Sequence, residues 1–228
     1  MARTKKTLPE DNAPGADQQA RIVEAAARLF IAHGYHGVSY LNIAKELGIS
    51  PSNIHYYFRV KPMLAEAVLV QVADATLASM KKIWADPSTT LFSKLISTRD
   101  WMYDHYLEFN PGGKGGHSWG LLARFTMDAD ALSTPMKRVM RSTLQKLEDF
   151  IAEGVRLAVQ SGELVEEAPQ AGITLQITSL VSVSGQATRS GSSFDRLDDL
   201  IKWTYTSIHR AYGRTGDNQV RWVGPKTA

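Results

Sequence analysis

The sequence predicts an all-α protein, and three observations carry that reading. Apolar residues recur at helical spacing along nearly the whole chain, Gly or Pro marks the joints between periodic runs, and no run alternates with period two for long enough to make a sheet. Hydrophobic residues form 43% of the 228 positions, enough to bury a substantial core. Cysteine is absent, which removes disulfides, thiolate metal sites and cysteine nucleophiles together.

The elements follow in order. Residues 1–16 mix Pro, Gly, Asp and Lys without periodicity and read as a flexible N-terminal arm. Asp17 is the expected N-cap of a helix over 18–33, whose apolar stripe is Ile22, Ala26, Leu29 and Phe30. Gly34 suits the left-handed position after that helix, with Tyr35 folding back on Phe30. Ser39 caps a short second helix that buries Ile43, Ala44 and Leu47 and ends at Gly48. Ser50-Pro51 opens a third helix, ending near Phe58, and Pro62 marks the start of a fourth that runs towards Trp84 and the Asp86-Pro87 break. Further helices are expected over 90–109, 118–128, 134–160, 169–188 and 194–212, and a loosely ordered tail over 213–228.

Charge and hydropathy narrow the setting. The opening residues lack the apolar run of a secretory signal, and Glu66, Gln71 and Asp74 interrupt the apolar stretch after Met63, so a soluble, cytoplasmic protein with no membrane partner is expected. The net charge of +3 is unevenly spread. Residues 1–62 hold eight Lys/Arg against five Asp/Glu, and residues 63–228 hold 18 of each. The basic excess lies wholly in the N-terminal quarter and favours a polyanion there.

That quarter contains the stretch "GISPSNIHYYFRVK", 48–61. At 100° per residue, Ile54, Tyr57 and Phe58 of the third helix fall on one side, while Ser52, His55 and Tyr56 face outward with Asn53 and Pro51 beside them. Two helices joined by a tight glycine turn, the second polar on its outer face, form a helix-turn-helix whose recognition helix fits the major groove. Ser39, Tyr40 and Lys61 stand around its rim, where hydroxyls and ammonium groups hold phosphates. Geometry alone leaves a plain surface helix equally open.

The residues of 20–68 also carry a resemblance. Ala25-Ala26, Leu29-Phe30, Gly34-Tyr35, Ser39, Ile43-Ala44, Gly48-Ile49-Ser50, Tyr56-Tyr57-Phe58 and Lys61 follow, in order and without a gap, the pattern of the DNA-binding domain of TetR-family transcriptional regulators. Three positions depart from it: Leu41 stands where a polar or basic residue is common, His55 replaces a tyrosine, and Val60 replaces a polar cap of the fourth helix. The resemblance implies an N-terminal three-helix helix-turn-helix domain and a larger C-terminal helical domain for effector binding and dimerisation. The corresponding division is a DNA-binding domain over 17–76, with its motif at 39–58, and an effector-binding and dimerisation domain over 77–212.

Within the second part, Trp101, His105, Tyr106, Phe109, Trp119, Arg124, Phe125 and Met127 mix apolar walls with a few polar groups. Residue chemistry leaves a ligand cavity and ordinary core packing both open; the resemblance implies a pocket for a small effector of unknown identity. "ITLQITSLVSVSGQ", 173–186, reads as a buried helix whose small side chains let a neighbour approach closely. Phe194, Leu197, Leu200, Ile201, Tyr205, Ile208 and Tyr212 form an apolar stripe that needs a partner. The resemblance makes that partner a second copy, a homodimer through the helices around 169–188 and 194–212.

Other chemistry finds little footing. "PGGKGGHS" lacks the Ser or Thr after lysine and the preceding strand of a phosphate loop, and reads as a flexible connector. His105 and Glu108 share a helical face with His117 nearby, but no second ligand pair accompanies them, so no metal is expected. No nucleophile–base pair emerges, so neither an enzyme nor a cofactor is expected. The expected function is a sequence-specific DNA-binding regulator, a repressor released from its operator by a small effector. The alternative is a helical ligand-binding protein, or an enzyme, with a vestigial helix-turn-helix.

Overall fold

The computed structural model describes residues 14–214, so the arm up to residue 13 and the tail from 215 lie outside the described residues. Nine α-helices occupy them: α1 Pro14–His33, α2 Tyr40–Leu47, α3 Pro51–Tyr57, α4 Lys61–Trp84, α5 Leu91–Phe109, α6 Leu121–Met127, α7 Thr134–Gln160, α8 Gln170–Gly191 and α9 Asp195–Tyr212. Short 3₁₀ turns lie at Pro111–Gly113 and Ala129–Ala131. No strand forms among the described residues, only isolated bridges between Lys114 and Ser193 and between Leu164 and Gly213. The fold is all-α.

Most helix ends follow from local chemistry. Gly34 adopts φ 75°, its N–H donates to the Phe30 carbonyl at 2.8 Å, and the Tyr35 ring stacks back on Phe30 with centroids 6.1 Å apart. Ser39 and Asn42 form a reciprocal capping box on α2. Ser50 caps α3 with Pro51 as its first residue, Thr90 caps α5 and Ser133 caps α7. Val60 offers α4 no side-chain cap. One boundary differs from the sequence reading: α1 begins at Pro14, so Asp17 lies inside its first turn, where a carboxylate favours the helix dipole, instead of capping it.

Two apolar clusters form the interior. The first joins α1, α2, α3 and the start of α4, from Ile22 to Leu69, but it does not stop there. Leu121 and Phe125 of α6, Leu132, and Met136 and Met140 of α7 complete it from fifty to seventy residues further along the chain. The second cluster gathers the end of α4 with α5, α7, α8 and α9 around Trp84, Tyr106, Ile151, Ile177 and Ile201. Helix α4 runs unbroken through both, so the expected division at 76/77 falls inside a helix. By length and composition α4 could cross a membrane, but Leu64, Ala65, Val68, Leu69, Ala73, Met80 and Trp84 bury its apolar side in the protein, as in a core helix.

Small residues set two close approaches. A Cβ at Gly154 of α7 would lie 2.5 Å from the Trp84 ring, and one at Gly185 of α8 would lie 3.1 Å from the Ala123 Cβ of α6. The latter is the close helix contact that the small residues of 173–186 foreshadowed. The stripe on α9 is used differently from expectation. Phe194, Leu197, Ile201, Tyr205 and Ile208 are buried within the chain itself, and only Leu200 of that set is exposed.

The glycine-rich segment 111–118 is pinned in place and so differs from the flexible connector expected. Asn110, fully buried, donates to the carbonyls of Tyr106 (3.1 Å) and His117 (3.2 Å) and accepts the His117 N–H at 2.9 Å. Tyr106 donates its hydroxyl to the Gly115 carbonyl, and the Gly115 N–H reaches the Ser192 carbonyl. Asn110→Ala is expected to cost about 2–3 kcal/mol through these lost buried bonds and to open the chain at Lys114 to trypsin. Cleavage there at the wild-type rate would show that another contact holds the segment.

Candidate nucleic-acid interface

Helices α2 and α3 meet across Gly48, whose φ of 66° turns the chain. The Ile49 N–H closes that turn on the Ala44 carbonyl at 3.0 Å. Ile54 and Phe58 anchor α3 in the first core, with Tyr57 half-buried beside them. The opposite face carries Ser52, Asn53, His55 and Tyr56, all exposed, Tyr56 to 81%. Pro51 is half-buried at the head of the helix. The Tyr56 ring meets Tyr57 edge-on at 5.1 Å, which restrains a side chain otherwise open to solvent. A short helix thus projects a hydroxyl, an amide, an imidazole and a phenol from one face, groups able to donate and accept at base edges.

The rim residues divide. Ser39 is exposed, but its hydroxyl donates to Asn42 Oδ1 at 2.5 Å and accepts the Asn42 N–H, so capping already engages it. Tyr40 is a correction to the expected contact set. It is buried, its hydroxyl donates to the Phe58 carbonyl at 2.8 Å, and burial pushes its pKa up to about 12. Its ring instead supports His55 edge-on at 4.5 Å. Tyr40 therefore positions α3 from beneath. Leu41, the departure from the family pattern, stands 67% exposed at the start of α2.

Lys61 begins α4, half-buried, with its Nζ 4.5 Å from the centroid of the Tyr35 ring. Burial pulls its pKa below the ordinary lysine value. The sequence offered no sign of this pairing, since Tyr35 lies in the turn after α1 and Lys61 opens α4, 26 positions later. Nor did it signal Asp128, whose carboxylate accepts the Tyr35 N–H at 2.8 Å across 93 positions of sequence.

The residues expected to line an effector pocket do not converge on one cavity. Phe125 belongs to the first core, edge-on to Phe30 at 5.7 Å and to Tyr35 at 6.3 Å. Arg124 lies over Gly34, where a Cβ would come within 2.5 Å of its guanidinium. Met127 is 64% exposed. Tyr106 and Trp119 are buried in the second core, the Trp119 indole donating to Thr188 Oγ1 at 2.9 Å. Phe109 sits at the seam of both cores. Trp101 and His105 are half-buried with their rings tilted at 38° and 4.1 Å apart, and Trp101 alone of the set borders a cleft of about 420 Å³ between α4 and α5. Lys94, fully buried at that cleft, donates to the Asp86 carbonyl and to Thr89 Oγ1 (2.7 Å), tying down the turn that follows α4.

Comparison with known proteins agrees with this geometry. Residues 22–68 match the model for bacterial regulatory proteins of the tetR family. The chain is 38% identical over 82 residues to the HTH-type transcriptional regulator RutR of Escherichia coli K12, a match covering 36% of this chain and 38% of RutR. It is 31% identical over 64 residues to the regulator UidR of the same organism, covering 28% of this chain and 33% of UidR. The chain thus matches well under half the length of these curated relatives. Likeness of fold extends much further. The structure of reduced E. coli NemR superposes with a TM-score of 0.71 at 13% identity, over 83% of this chain and 96% of that one. A TetR transcriptional regulator from Chloroflexus aurantiacus J-10-FL gives 0.72 at 18% identity, over 87% and 98%. Residues 22–68 thus carry a helix-turn-helix of the tetR type, and the fold around it is that of solved TetR regulators.

Proposed function

We propose that this protein is a sequence-specific, double-stranded-DNA-binding transcriptional regulator of the cytoplasm. It acts as a homodimer that represses from an operator and is released by a small-molecule effector. The observation that carries the reading is the exposed face of α3, where Ser52, Asn53, His55 and Tyr56 stand free while Ile54 and Phe58 hold the helix to its core. Such a face fits a groove about 12 Å wide, and Lys61 beside the uncapped start of α4 fits a phosphate. Dimerisation is supported by apolar groups left uncovered on the last two helices. Leu175 (62% exposed) and Val183 lie on α8, and Leu200 and Trp203 (55%) on α9. Two recognition helices in such a dimer enter successive major grooves about 34–36 Å apart.

The test begins with selection of bound sequences from random duplex at low salt. On the enriched operator, His55→Ala and Tyr56→Ala are each expected to weaken binding about 10-fold, within the 1–3 kcal/mol of a base contact, with an unchanged melting temperature. Failure to enrich any sequence would count against the reading in favour of a helical ligand-binding protein.

A further inference from the structure

The end of α1 is held from two sides. Gly34 turns the chain, and the next N–H, of Tyr35, is accepted by a carboxylate oxygen of Asp128, the residue that closes α6. The Tyr35 ring is then fixed by its neighbours. It lies nearly parallel to Phe30, at 11°, and takes the edge of Phe125 from α6 at 78°. His36 meets the ring edge-on at 5.6 Å, and the Lys61 ammonium lies 4.5 Å from its centroid. Lys61 has no carboxylate within ion-pair distance among the described residues, and its ammonium lies instead over the aromatic face.

We propose that Asp128 is a positioning residue for DNA binding, which sets the Tyr35 ring and through it the point at which Lys61 meets a phosphate. The proposal rests on the DNA-binding reading of the helix-turn-helix and adds to it the route by which the C-terminal helices reach the DNA contact. Asp128 follows α6, and α6 packs on α8 through Ala123 and Gly185, so a change in that packing is felt at Tyr35 before it is felt at α3. Gly34 makes the arrangement possible. Its missing side chain leaves space for the Asp128 carboxylate and the Arg124 guanidinium, each of which a Cβ would approach within 2.7 Å. The route predicts a sequence-independent effect, because it acts on a phosphate contact and leaves the outer face of α3 alone.

The experiment is a double-mutant cycle in the full-length protein, read by fluorescence anisotropy on a labelled 30-base-pair random-sequence duplex at low salt. Lys61→Ala sets the benchmark, a weaker affinity and a log–log salt slope reduced by about 0.9 per protomer. Asp128→Ala is expected to weaken binding about fivefold in the wild-type background and not at all when Lys61 is already alanine, the coupling expected of residues acting through one contact. Asp128→Asn, which keeps a side-chain oxygen for the Tyr35 N–H, is expected to stay within about twofold of wild type by the same reasoning. Tyr35→Leu leaves the Asp128 bond in place and removes the ring, and is expected to repeat the fivefold loss and its dependence on Lys61. It decides the matter even if Asp128→Ala does not fold. Losses of equal size in both Lys61 backgrounds, or wild-type affinity in folded Asp128→Ala or Tyr35→Leu, overturn the proposal. A wild-type protein that binds no duplex would instead overturn the DNA-binding reading beneath it.

Discussion

Phe125→Ala is expected to lower the free energy of unfolding by about 3–5 kcal/mol, the usual cost of removing a fully buried phenylalanine. The ring has no exposed surface and meets both Phe30 and Tyr35 edge-on. Its loss leaves a void at the join between α1 and α6, where Gly34 already allows the closest approach, so little can collapse inward. Urea denaturation gives the measurement, with a lower midpoint and an unchanged slope. The sequence reading made Phe125 a pocket wall remote from DNA, for which the same change would cost little stability and would blunt an effector response. A loss below about 1 kcal/mol would restore that view.

Trp84→Ala is expected to cost about as much, 3–5 kcal/mol, at the far end of α4. Its indole is fully buried, donates to Thr98 Oγ1 at 3.0 Å and lies against the bare backbone of Gly154. The informative measurement is a pair of thermal melts. In the native background Gly154→Ala drives a methyl into the indole, 2.5 Å from Cε3, and destabilises. With the indole gone, the same alanine has room and brings its better helix propensity, about 1 kcal/mol over glycine. A substitution harmful in one background and helpful in the other identifies the Trp84–Gly154 contact as the reason α7 carries glycine there. Equal effects in both would refute it.

These two sites also mark where sequence reading ran out. The turn at Gly34, the cap at Ser39, the Gly48 turn and the Ser50-Pro51 start were all legible because each depends on residues within a few positions of itself. The outward face of α3 was legible for the same reason, since 100° per residue fixes which side chains oppose Ile54. What covers a face is another matter. The α9 stripe has correct periodicity, yet periodicity cannot say whether the chain's own helices or a second copy will bury it, and here the chain does most of it. Tyr40 and Phe125 misled similarly. An aromatic ring near a rim or a cavity looks alike in sequence whichever way it turns, and the partners that turn these two inward, Phe58 and Phe30, lie 18 and 95 positions away. The start of α1 was missed because Pro14 sits among residues that otherwise read as an arm, although proline is at home in a first helical turn.

The first apolar cluster has a consequence for how the protein is made. Its N-terminal share is complete at Leu69, but its lid of Leu121, Phe125, Leu132, Met136 and Met140 is translated last. At roughly 5–20 residues per second, a ribosome needs about 4–14 s to cover that interval. Throughout it the nascent helix-turn-helix carries an uncovered apolar flank beside an already basic surface. The helix-turn-helix therefore leaves the ribosome unfinished, and stalling between residues 70 and 120 is expected to yield a chain that chaperones hold and that, on the proposed function, does not yet bind duplex.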